Sequence, residues 1–135
     1  MEFKLKTKLK ATAIDIYNTW LSSDGHTKMT GAVANISDKI GDTFTAWEDY
    51  ITGKNIELVE GKKIVQSWRT SEFKENEEDS ELIIELEEKE SWTELTLKHV
   101  NVPENGDDYK KGWEDFYFKP MRDYFASGKT SNSEL

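Results

Sequence analysis

The sequence predicts an α+β domain: a curved antiparallel sheet of about six to seven strands wrapped around one long C-terminal helix, with two short helices after the first strand. Three observations carry that expectation. Residues 2–10 alternate lysine with apolar side chains, which is the period of a strand with one dry face. Residues 32–102 then hold a run of short segments with strand patterning, separated by turn residues. Residues 107–126 carry aromatic side chains at helical spacing. A curved sheet with one apolar face needs a cover, and only the aromatic helix is large enough to supply it. A curved sheet and a straight rod differ in shape, so a cavity between them is expected.

The elements follow in chain order. In the first strand Phe3, Leu5, Thr7 and Leu9 form the dry face, and Lys4, Lys6, Lys8 and Lys10 the wet one. Lysines there also discourage pairing with other chains. Thr12 and Asp15 then form a relative of the capping box, opening a helix whose buried stripe is Ala13, Tyr17, Trp20 and Leu21. Ser22, Ser23 and Asp24 can cap a second helix, and Gly31 can end it. Strands are expected at 33–36, 43–47, 50–59, 63–69, 81–90 and 93–102. Gly61, between Glu60 and Lys62, supplies a positive φ for a hairpin loop. Ile64, Gln66 and Trp68 share one face of their strand; Leu82, Ile84 and Leu86 share one face of the next; Leu95, Leu97 and His99 share one face of the last. Pro103 cannot continue a ladder. The long helix places Tyr109, Trp113, Phe116, Tyr117, Met121, Tyr124 and Phe125 on its stripe, with a kink expected at Pro120 and a stop at Gly128. One domain over residues 1–128 and a disordered tail over 129–135 complete the expectation.

Composition narrows the function. The 135 residues, 15.6 kDa in all, suffice for one core without metal or disulfide. Aromatic residues reach 12%, too many for a disordered chain. A net charge of −9 makes nucleic acid and anionic membranes poor partners, because phosphate binding needs clustered lysine and arginine. No apolar run is long enough to span a membrane, and the N-terminus lacks the apolar core of a signal peptide. The absence of cysteine removes disulfides and thiolate chemistry and fits a reducing, cytoplasmic setting. The charge is uneven: residues 72–90 hold ten acids against Lys74 and Lys89, and the remainder is nearly neutral. Glu75, Glu77, Glu78 and Asp79 in that window form either a solvated loop or a docking patch for a basic partner.

Residues 53–69 (GKNIELVEGKKIVQSWR), the step from Val102 to Pro103, and residues 112–125 (GWEDFYFKPMRDYF) resemble the C-terminal domain of the activators of the heat-shock protein 90 ATPase. That family belongs to the START-like, helix-grip superfamily. The resemblance runs from about Phe3 to Phe125. It implies a helix-grip fold and a non-enzymatic module regulating a heat-shock protein 90 type chaperone. Eukaryotic co-chaperones of the family carry an additional N-terminal domain, to which nothing in these residues corresponds. START-like relatives hold apolar molecules between helix and sheet, so the resemblance also implies, as the alternative, a binding or carrier protein for a small apolar ligand. An enzyme of cyclase or hydrolase type is the third reading, and no constellation of acid, base and nucleophile supports it.

The expected cavity is bounded by Trp68, Gln66, Leu97 and His99 from the sheet and by Tyr109, Trp113, Phe116, Tyr117 and Met121 from the helix. His99 is either a core histidine or the polar anchor of a ligand, or a base of lowered pKa, with Gln66 a second polar group. Arg69 points outward, toward the acidic strand at 81–90. No cofactor and no metal is expected: His26 and His99 are the only histidines, and Asp24 with His26 makes a weak pair.

Overall fold

A computed structural model of the chain describes residues 1–104 and 106–127. The elements run β1 (Phe3–Leu9), α1 (Ala13–Trp20), α2 (Ser23–Thr30), β2 (Thr43–Ala46), β3 (Ile51–Val59), β4 (Lys63–Thr70), β5 (Ser80–Glu88), β6 (Thr93–Val100), α3 (Gly106–Gly112), a π-helical segment (Trp113–Phe118) and α4 (Lys119–Ala126). The six strands form one antiparallel sheet in the order β1-β6-β5-β4-β3-β2. This is the α+β helix-grip architecture. The stop expected at Gly128 and the tail at 129–135 lie outside the described residues.

The start of the chain behaves as its pattern dictates. In β1 Phe3 and Leu9 are buried, Leu5 and Thr7 half-buried, and Lys4, Lys6 and Lys8 exposed. The Thr12 hydroxyl accepts from Asp15 N, 3.2 Å, and caps α1. Ser22 caps α2 by accepting from Gly25 N, and Gly31 closes it in the left-handed conformation at φ 85°.

Segment 33–36 is not a strand; it makes a single bridge, Asn35 with Thr45. Hydroxyls of α2 take its backbone groups instead. Ser23 Oγ accepts from Ile36 N at 2.9 Å and donates to Ile36 O at 3.1 Å, and Thr27 Oγ1 accepts from Ala34 N at 2.9 Å. With those groups satisfied, the segment runs along α2 rather than joining a ladder. β6 likewise ends at Val100, before Pro103, because Asn101 is left-handed at φ 57°. In β3 a bulge between Asn55 and Glu57 leaves Ile56 unpaired. Gly53 faces Trp68 across β3 and β4, where any Cβ would collide with the Ser67 carbonyl and the Phe44 ring.

The C-terminal helix differs from a kinked α-helix. Pro120 has no N–H to give and its ring crowds the preceding turn. The strain is taken up before the proline by the π-helical turns, with Lys119 N–H donating to Glu114 O five residues back. The wider turn moves the buried stripe. Trp113, Tyr117, Phe118, Met121 and Phe125 are buried, whereas Phe116, expected on the stripe, is 57% exposed.

Candidate functional site

A cavity of about 420 Å³ opens beside the π-helical segment. Trp113, Phe116, Tyr117 and Gly112 line it from the helix, with Tyr109 and Asp108 from α3. Trp68 of β4, Ile51 of β3, and Trp47, Tyr50 and Glu72 from flanking turns close the other side. Of the side chains expected there, Trp68, Tyr109, Trp113, Phe116 and Tyr117 are in the lining. Gln66, Leu97, His99 and Met121 are not; all four are buried in the packed layer between helix and sheet. Buried side chains fill the layer between helix and sheet around them, and the cavity lies instead toward the β2–β3 end.

The interior polar groups form closed chains. His99 Nδ1 accepts from Trp113 Nε1 at 3.1 Å, so its proton sits on Nε2, which donates to Ser80 Oγ at 2.8 Å. Ser80 Oγ in turn donates to Trp68 O at 2.7 Å. Burial pulls the His99 pKa down to about 3. The neutral ring thus ties β5, β6 and the helix together and has no nitrogen left for a ligand. Gln66 is similarly engaged: its Oε1 accepts from Trp20 Nε1 at 3.4 Å and its Nε2 donates to Asn55 Oδ1 at 2.9 Å. His26 takes the other tautomer, Nδ1 donating to Trp20 O at 2.8 Å and Nε2 accepting from Tyr117 Oη at 2.9 Å. Burial lowers its pKa to about 4, the Trp20 carbonyl opposing the shift. Asp24 pairs with Lys28 at 3.0 Å rather than with His26. Among the described residues no three potential metal ligands come together.

The cavity mouth is more open to chemistry. Trp47, Glu48 and Asp49 all have positive φ, at 54°, 54° and 75°, a conformation that costs about 1–2 kcal/mol per non-glycine residue. Strand alternation through β2 would send Trp47 to the face opposite Phe44 and Ala46; the left-handed turn swings it over the cavity instead. Its ring packs edge-on against Phe116, with centroids 5.5 Å apart. Trp47 Nε1 is buried without a hydrogen-bond partner. The Tyr117 hydroxyl feels that indole, which offsets part of the rise that burial imposes on its pKa, but lies outside hydrogen-bond geometry. On the opposite rim Tyr50 Oη donates to Glu72, and burial with that carboxylate pushes the Tyr50 pKa up to about 12. Tyr109 Oη and Thr70 Oγ1 are bonded at 2.8 Å.

Arg69 braces the acidic loop rather than the acidic strand. It donates to Asp79 at 2.7 Å, to Glu77 O at 3.1 Å and to Lys74 O at 3.1 Å. The Glu77 carboxylate accepts from Lys74 N at 2.7 Å. Two of the four acids expected as a docking patch therefore hold their own loop, and Glu75 and Glu78 face solvent. The lining residues Trp47, Tyr50, Ile51, Glu72, Asp108 and Gly112 escaped the sequence reading. The one signal for them was a tryptophan beside the acidic turn at Glu48 and Asp49.

The family model for "Activator of Hsp90 ATPase homolog 1-like protein" matches residues 10–126. The chain belongs to that family. It is 26% identical over 119 residues to an uncharacterised protein of Schizosaccharomyces pombe, covering 87% of this chain and 35% of the relative. The chain thus spans about a third of that relative's length. The crystal structure of an HSP90 activator from Plasmodium falciparum superposes with a TM-score of 0.84 at 22% identity, over 95% of this chain and 96% of the other. The solution structure of the Aha1 dimer from Colwellia psychrerythraea superposes at 0.81 with 19% identity, over 96% and 98%. At those identities the superpositions establish the fold alone. The START-like assignment of this family member accords with the sheet order and the gripped helix.

Proposed function

We propose that this family member is a non-enzymatic binding module whose working element is the aromatic cavity, which receives a small, largely apolar ligand. The observation that carries this reading is the cavity itself: about 420 Å³, walled mostly by aromatic rings, within the size range of small-molecule sites. The buried histidines have both ring nitrogens engaged, which argues against their serving as general bases. The test uses an environment-sensitive apolar dye. Wild-type protein should bind it and enhance its emission. Gly112→Leu should block binding, because Gly112 lines the cavity and a Cβ there meets only the Phe116 ring at 3.8 Å. The same change suits a helical position and should keep the fold. Dye binding indifferent to Gly112→Leu would reject the cavity as the site.

Family membership favours a second reading, regulation of a heat-shock protein 90 type chaperone. Glu75 and Glu78 would then meet a basic surface, and affinity for a chaperone from the same source should fall as salt rises. No binding at low salt and high protein concentration would reject this reading.

A further inference from the structure

We propose that the cavity selects organic cations, specifically an ammonium group carried on an apolar body; this rests on the ligand-cavity reading above. Two properties of the lining point there together. The first is ring chemistry. Indole and phenol faces present negative electrostatic potential, and a cation close to such faces is attracted more strongly as water is excluded. Trp47, Trp68 and Trp113 supply three indoles around one space, and tyrosine rings fill most of the rest. The second is charge. Glu72 and Asp108 are the charged residues of the lining, and no lysine, arginine or histidine is among them. Among the described residues neither carboxylate makes an ion pair, in contrast to Asp24, Asp79 and Glu114, which meet Lys28, Arg69 and Arg122. Glu72 is held in place by the Tyr50 hydroxyl, so its charge is fixed at the mouth rather than swinging free.

An apolar ligand bearing a carboxylate would meet two like charges on entering. A neutral one would gain no attraction from either carboxylate. An ammonium ligand meets aromatic faces inside and carboxylates at the rim, and the net charge of −9 favours its approach.

The test compares three shape-matched probes: (4-hydroxymethylphenyl)trimethylammonium, its carbon isostere 4-tert-butylbenzyl alcohol, and the anion 4-tert-butylbenzoate. Binding is followed at low salt through the indole N–H signals of Trp47, Trp68 and Trp113. The ammonium should bind about tenfold tighter than the isostere, and the anion weakest. Glu72→Gln with Asp108→Asn should shrink the ratio of ammonium to isostere affinity by about threefold or more, and added salt should do the same. Equal binding of ammonium and isostere would overturn charge selection while leaving the cavity reading intact. Tightest binding by the benzoate would overturn it as well. An ammonium preference untouched by the double substitution would remove Glu72 and Asp108 from the role. Binding by none of the three would overturn both readings.

Discussion

Two buried histidines make the folded state sensitive to acid. In the folded state burial holds His26 near a pKa of about 4 and His99 near about 3, below the ordinary value of 6.5. Both are neutral when folded and take up protons when unfolded. Their contribution to stability is complete above pH about 6.5 and is lost as pH falls toward the folded values, by up to about 1.4 kcal/mol per unit for each. Urea midpoints should therefore decline between pH 6.5 and 5, a window where ordinary carboxylates change little. His99→Phe should weaken that dependence. It should also cost roughly 1–3 kcal/mol at pH 7, since the Trp113 indole and the Ser80 hydroxyl lose their partner. A midpoint flat across the window would show that the rings are not kept neutral. At the cavity rim, Glu48 stands at φ 54° with an exposed side chain. Glu48→Gly should leave stability unchanged or raise it by about 1 kcal/mol by relieving left-handed strain. A clear loss in thermal denaturation would mean that the turn is held by the carboxylate.

Among the elements, α1 depends on its cap. Thr12→Ala should lower stability by roughly 0.5–2 kcal/mol, because Asp15 N loses its acceptor. The acidic loop between β4 and β5 should split its residues into two classes. Arg69→Ala removes the donor to Asp79 and two backbone carbonyls, and should cost about 1–3 kcal/mol. It should also speed amide exchange across residues 71–79. Glu75→Gln with Glu78→Gln should change stability by less than about 0.5 kcal/mol, since both side chains are solvated. Equal effects from the two sets would contradict the bracing role of Arg69. The C-terminal helix shows why its stripe was only partly legible. An α-helical period applied across Pro120 places Phe116 inside, whereas the π-helical turns ahead of the proline bury Phe118 and push Phe116 to the cavity rim.

At the scale of the molecule, helix and sheet are tied together beside the cavity by specific hydrogen bonds. The Trp113–His99–Ser80 chain crosses the core, and Arg122, paired with Glu114, donates to Thr7 Oγ1 of β1 at 2.9 Å. One continuous apolar cluster runs from Phe3 to Phe125. Unfolding in urea should then be a single transition, with tryptophan emission and far-ultraviolet dichroism superimposing. Separate midpoints would show that the helix detaches before the sheet melts. The sequence by itself determined the sheet-forming strands, the caps, the hairpin at Gly61 and the helix that covers the sheet, because each depends on side-chain period and local hydrogen bonding. It also determined the aromatic character of the interior. Only the tertiary structure decided where the cavity lies. That required three choices that no local pattern encodes: the left-handed turn that swings Trp47 inward, the hydroxyls of α2 that keep residues 33–36 out of the sheet, and the π-helical turns that rotate Phe116 outward. Each is settled by satisfying backbone groups or relieving crowding between elements distant in sequence, which no local period of side chains encodes.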